Sequence, residues 1–191
     1  MQNNTEQWKE SWQPDYSKFN YSGWKLLSQF RRNDKILDIG CGYNLFKQRL
    51  GDKVYGIDPA NDKADELVSW EDFVPKDKFN VYLCLGSLNF GTEENVERQV
   101  AKLAEITNKG DRIYWRQNPG TGGHPWKNNE KIKFYPWTID KNYEWAKKYG
   151  FYVKTCCIDT GDRIYAEWFK GNEYEYFAYM THDNDPKEYA L

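Results

Sequence analysis

The stretch Ile36-Leu37-Asp38-Ile39-Gly40-Cys41-Gly42-Tyr43-Asn44 constrains the fold more than any other part of the sequence. Ile36, Leu37 and Ile39 make the short apolar run of a strand buried on both faces, as a parallel sheet requires. Gly40 and Gly42 then allow a tight bend and let the backbone approach a ligand with no Cβ in the way. A strand running through such a turn into a helix start presents free backbone N–H groups beyond the strand's carboxyl end. A second strand, Val54-Tyr55-Gly56-Ile57, ends in Asp58-Pro59, with Asp58 20 residues after Asp38. That is the spacing at which a doubly wound fold sets an acid against the ribose hydroxyls of a nucleotide. A dinucleotide loop also needs a third glycine, five positions after Gly40, for close helix-strand packing. Leu45 stands there, so a dehydrogenase is disfavoured.

Asp38-Ile39-Gly40-Cys41-Gly42-Tyr43-Asn44 resembles motif I of the class I S-adenosylmethionine-dependent methyltransferases, acid-x-Gly-x-Gly-x-Gly. Asn44 replaces the last glycine, a mild departure, because Asn tolerates left-handed backbone and caps helix N-termini. The resemblance runs in order to about residue 181. It implies one Rossmann-like α/β domain over residues 1–191, with helices on both faces of a doubly wound, mostly parallel seven-stranded sheet. The expected strand order is 3-2-1-4-5-7-6, with a C-terminal antiparallel hairpin.

Composition narrows the partners. At 191 residues the chain is long enough for one domain with a substantial core. A net charge of −2 gives no case for duplex DNA or an anionic membrane. The four cysteines form no Cys-x-x-Cys pair or Cys/His cluster, so neither zinc nor a disulfide framework is expected, and reduced cytoplasmic thiols are the reading. Met1–Glu10 is polar and is not expected to be a signal peptide. No apolar run approaches the ~20 residues of a membrane span.

In chain order, Trp8, Trp12 and Tyr16 recur at helical spacing in a segment, residues 1–22, that either docks on the domain or forms a flap over the cofactor. Ser22 opens a helix with Trp24, Leu27 and Phe30 on one face. Phe46 and Leu50 fit a short helix stopped by Gly51-Asp52, a brief helix surrounds Asn61–Asp65, and Glu66-Leu67-Val68-Ser69 reads as a third strand. Phe79 to Ser87 is a buried fourth strand, with Asn80 where the family commonly has Asp. Thr92 caps a helix whose buried face is Val96, Val100 and Leu103, and Arg112–Arg116 is the fifth strand. Residues 117–137 form a long loop rich in glycine, proline, lysine and aromatic residues, placed beside the ligand crevice. Thr138 caps a helix with Ile139, Tyr143 and Ala146 as its apolar face. Phe151–Asp159, Arg163–Phe169 and Glu173–Thr181 read as β-rich runs, and 182–191 as a loose tail. Pattern does not decide which run lies beside the fifth strand.

By resemblance, Gly40, Cys41 and Gly42 pass under the methionine portion of S-adenosylmethionine, and Asp38 holds its amino group directly or through water. Asp58 takes the ribose hydroxyls, Pro59 lies beside the adenine, and Asp72 (or Glu71) reaches the adenine amino group. Leu85 and Gly86 border the transferred methyl. His124 is the candidate general base by its near-neutral pKa, against a plain surface histidine in a loop. The acceptor is expected to be a small molecule methylated on O, N or C. Leu85-Gly86-Ser87-Leu88-Asn89-Phe90 lacks the Asp/Asn-Pro-Pro-aromatic tetrad of DNA amino-methylating enzymes, and Cys84 lacks the preceding proline of cytosine C5 enzymes. A single-stranded nucleic acid read by the 117–137 loop, and a non-catalytic protein that binds the cofactor, are the alternatives. Oligomeric state is not legible.

Overall fold

The computed structural model describes residues 15–119 and 134–181. Strand β1 (Ile36–Ile39) is buried at all four positions and lies between two parallel neighbours, β2 (Val54–Ile57) and β3 (Val81–Leu85). Strand β4 (Arg112–Gln117) continues the parallel sheet beyond β3. Strands β5 (Phe151–Ile158) and β6 (Ile164–Lys170) form an antiparallel hairpin, and β6 lies against β4, giving the six-stranded order β2-β1-β3-β4-β6-β5. Each face carries its own core. Leu37, Ile39, Tyr82, Trp115 and Trp168 pack on one side under two helices. Ile36, Leu83, Tyr114 and Tyr165 pack on the other, under the N-terminal segment and a short helix.

The sheet has six strands and not the seven expected. The third run, Glu66–Ser69, lies at the β2 edge through one bridge, Glu66 to Ile57, and backbone bonds of Glu66 and Val68 with Gly56 and Asp58, but forms no strand, and Leu67 is exposed. The reason lies at the edge of β2. The run bridges β2 only at its last residue, Ile57, and the Pro59 that follows has no N–H to extend the ladder, while upstream the Asp65 carboxylate accepts the Gly56 N–H at 2.8 Å in place of a strand. Residues 61–65 are turn, not helix.

The helices follow their caps. Helix α1 (Leu45–Leu50) buries Phe46 and Leu50 and ends at Gly51, whose φ is 67°. Helix α2 (Glu93–Ile106) starts where the Thr92 side chain accepts the Asn95 N–H, and buries Val96, Val100 and Leu103. Helix α3 (Ile139–Lys148) is capped by Thr138, but its buried face is Asn142, Trp145 and Ala146. Ile139 and Tyr143 are exposed, because Trp145 takes the core position against Tyr135 and Trp137, with ring centroids 5.5 and 5.0 Å away. Residues 23–29 wind as a 3-10 helix with Leu27 and Phe30 buried.

The last run, Glu173–Thr181, is helix α4 and not a strand. Asn172 and Glu175 form a capping box: the Asn172 side chain accepts the Glu175 N–H at 2.9 Å, and Glu175 accepts the Asn172 N–H at 3.0 Å. Tyr176 and Tyr179, at helical spacing, then meet the Phe169 ring at 5.4 Å each. Asn80 also gains a physical reason. Its amide donates to Asp34 at 2.9 Å and its oxygen accepts the Lys35 N–H at 2.7 Å, whereas an Asp there would set two carboxylates together.

Candidate functional site

The parallel strands end together, and the loop after β1 is built where they end. Gly40 and Gly42 have φ of 71° and 53°, which only glycine adopts at little cost. The Gly40 and Cys41 N–H groups donate to the Ile57 carbonyl at 2.8 and 3.0 Å, folding the loop over the end of β2. A Cβ at Gly40 would stand 2.6 Å from that of Ser87, so the loop also lies against the residues that follow β3. Asn44 is left-handed, as anticipated, with φ 54°. Its side chain does not cap α1, however; it donates to the Lys63 carbonyl and to Asp65, at 3.0 and 3.1 Å.

Asp58 fastens the loop. One carboxylate oxygen accepts the Gly42 N–H at 3.0 Å, and the other accepts the N–H groups of Ala60 and Asn61 at 2.8 and 2.9 Å. Asp38 lies one strand away on β1, 4% exposed. Its carboxyl has no hydrogen-bond partner among the described residues, and burial, reinforced by the Asp58 charge, raises it to about 7. The Cys41 thiol is buried and pushed well up, by burial first and then by Asp38, Asp58 and Asp65. The loop end is therefore an acidic environment that favours a cation.

The other expected residues fall as follows. Pro59 is exposed beside Asp58. Leu85 closes β3, half-buried, and Gly86 follows with φ 96° and open space where a Cβ would be. Asp72 is exposed and turned onto Ser69, whose hydroxyl it accepts at 2.7 Å, while Glu71 accepts from Gln99 on α2. Neither acid hydrogen-bonds to the glycine loop. His124, Trp8, Trp12, the loop core 120–133 and the tail 182–191 lie outside the described residues.

Sequence reading missed several residues at this end of the sheet. Tyr16 is buried, stacked on Phe46 with centroids 5.6 Å apart. Its hydroxyl is pushed up by burial and then by the charges of Asp38 and Cys41, while Arg116 acts in the opposite sense. Asp159, after β5, pins the N-terminal segment by accepting the N–H groups of Asn20, Tyr21 and Ser22 at 2.8, 3.1 and 3.3 Å, and also the Ser22 hydroxyl. On the opposite face of the sheet Gln117 and Asn142 exchange two buried amide bonds, at 3.0 and 2.7 Å. Among the described residues no cluster could hold a metal ion, and no helix is long and apolar enough to cross a membrane.

No family model and no curated protein matches the sequence. Solved structures match the fold. The N-methyltransferase NodS from Bradyrhizobium japonicum WM9, in complex with S-adenosylhomocysteine, aligns with TM-score 0.62 and 10% identity over 89% of this chain and 100% of that one. The 1,6-didemethyltoxoflavin-N1-methyltransferase of Burkholderia thailandensis gives TM-score 0.59 and 12% identity, over 72% of this chain and 71% of its own. The magnesium protoporphyrin IX methyltransferase of Synechocystis PCC 6803, with bound S-adenosylhomocysteine, gives 0.57 and 15% over 72% and 74%.

Proposed function

We propose that this chain, which has the fold of the class I S-adenosylmethionine-dependent methyltransferases, binds S-adenosylmethionine and transfers its methyl group to a small molecule. The observation that carries the reading is the glycine loop itself. Gly40 and Gly42 are left-handed, Asp58 holds the loop through Gly42, and an unpartnered, protonatable Asp38 stands beside it. A cofactor carrying an ammonium and a sulfonium suits a loop end where three acids act on Cys41. The ammonium would draw the Asp38 proton off and take its place as the carboxylate's partner. Asp58, with three of its lone-pair positions already given to N–H groups, keeps one for a ribose hydroxyl. Pro59 and the exposed Asp72 are the proposed adenine contacts, and Leu85 with Gly86 borders the methyl. His124 is the proposed general base.

Methyl transfer is an in-line displacement at a sulfonium carbon, so the protein has mainly to align two partners and exclude water. The similar structures include methyltransferases named for a toxoflavin precursor and a magnesium porphyrin, which supports a small acceptor here. The test is transfer of labelled methyl from S-adenosylmethionine into fractionated small-molecule extracts and into total RNA, at low and high salt. Label in a small molecule with little salt dependence is the expected result. Label in RNA that falls steeply with salt would replace the small acceptor by a nucleic acid. Cofactor binding with no transfer to any fraction would leave a binding protein and no enzyme.

A further inference from the structure

At the carboxyl end of the sheet, Leu85, Arg116, Tyr165 and Cys157 stand in one cross-strand row. Arg116 is in register with Leu85 on one side and Tyr165 on the other, and Tyr165 with Cys157. Arg163, two residues before Tyr165 and in extended backbone, shares that face by strand alternation. The Arg116 side chain is 16% exposed. One of its terminal nitrogens donates to the Thr160 carbonyl at 3.0 Å, and its guanidinium lies 3.9 Å over the Phe19 ring. Its Nε is buried without a hydrogen bond and makes a long ion pair, 3.6 Å, with the Asp159 carboxylate. That carboxylate is already saturated by Asn20, Tyr21, Ser22 and Thr160. Arg163 is half-buried, and its side chain makes no hydrogen bond among the described residues; the neighbouring Asp162 is the favourable charge on it. Burial and the Arg163 charge together bring Arg116 down to about 10.

Arg116 faces an Asp159 carboxylate already filled by other donors, and Arg163 has only the exposed Asp162 beside it, so both half-desolvated guanidinium groups keep donors that an incoming anion would take up through charge-assisted and bidentate bonds. Aromatic surface adjoins them. Tyr21 is 48% exposed and stacks on Tyr165, with centroids 5.8 Å apart and planes 13° apart.

We propose that Arg116 and Arg163 bind the anionic group, a carboxylate or phosphate, of an acceptor whose flat apolar body lies against Tyr21. Arg116 is one strand spacing, about 4.8 Å, from Leu85, so a small aromatic acid held there extends toward the residue proposed to border the methyl. That this molecule is a methyl acceptor rests on the function proposed above; the anion site itself does not.

The test titrates benzoate, phenyl phosphate and benzamide into the protein, with and without saturating S-adenosylhomocysteine, following binding by ligand-observed NMR. At least one anion is expected to bind tenfold or more tighter than benzamide, the tighter one identifying the head group. Arg163→Gln and Arg116→Gln are each expected to weaken that anion at least tenfold. Because the Arg163 side chain has no hydrogen bond to lose, Arg163→Gln should keep or raise the Tm. Equal binding of all three probes overturns the proposal. So does undiminished anion binding by Arg163→Gln, or a lowered Tm for that variant, since the guanidinium would then be holding the fold. Anion binding without S-adenosylhomocysteine binding would sink the methyl-transfer reading and leave the anion site standing; the converse would sink only the anion site.

Discussion

Three alanine substitutions separate the two demands placed on the glycine loop. Gly110 has φ 95° with open space around a would-be Cβ, so Gly110→Ala introduces backbone strain alone, about 1–2 kcal/mol. Gly56 has no positive φ, but a Cβ there would lie 2.5 Å from Asn44 Oδ1 and 2.8 Å from Cys41 Sγ. Gly56→Ala therefore adds crowding alone, about 1–3 kcal/mol. Gly40 carries both, with φ 71° and the Ser87 Cβ 2.6 Å away, so Gly40→Ala should cost about 2–5 kcal/mol, near the sum of the other two. Urea unfolding followed by tryptophan fluorescence measures this, since Trp115, Trp137, Trp145 and Trp168 are all buried and will report global unfolding. If Gly40→Ala costs no more than Gly110→Ala, then Ser87 has room to yield. The close packing of the loop against the residues after β3, and the geometry built on it, would be wrong.

Asp38 has its pKa raised from the ordinary carboxylate value to about 7 by burial and by Asp58, so the folded state holds a proton that the unfolded state releases first. Its penalty is absent below about pH 4, grows as the pH rises toward 7 and is full above that. Asp38→Asn should therefore gain on the order of 2–4 kcal/mol relative to wild type between pH 4 and 8; parallel stability curves for the two proteins would refute the burial. Asp159 is held below the ordinary range, burial being outweighed by the hydrogen bonds from Ser22, Thr160, Tyr21 and Asn20. Asp159→Ala strands those donors, so residues 15–30 should become the first site of limited proteolysis, and an unchanged digestion pattern counts against the pinning. Gln117→Leu or Asn142→Leu alone leaves a buried amide unmatched, at about 1–3 kcal/mol, while the double variant should recover most of that loss. Additive losses in the double-mutant cycle would show that the two amides do not pair.

Where a signal is local, the sequence carries it. The apolar run of β1, the glycines after it, and the Thr92 and Thr138 caps each declare themselves within a few residues. The third strand fails because it comes into register with β2 only at Ile57, where β2 ends before Pro59, and the Gly56 N–H upstream is already taken by Asp65. Helix α4 hides in an aromatic run that suits a strand, and its cue was the Asn172–Glu175 capping box. Asp159 and the segment it holds are 139 residues apart at Asn20, and Arg163 meets Arg116 only through the register of β4 with β6. Such long-range pairings leave no spacing to read in one sequence. The glycine-loop end of the sheet was thus legible, and the surroundings of Arg116 were not.

The most direct test of the central claim is a calorimetric titration of S-adenosylhomocysteine into the wild type and Asp58→Ala, with NAD as the control. Micromolar binding is expected, weakened by about 1–3 kcal/mol in the variant through loss of charge-assisted hydrogen bonds, with Asp38 releasing protons as its partner arrives. No binding of S-adenosylhomocysteine, or tighter binding of NAD, would contradict the reading of the glycine loop and every cofactor contact assigned from it.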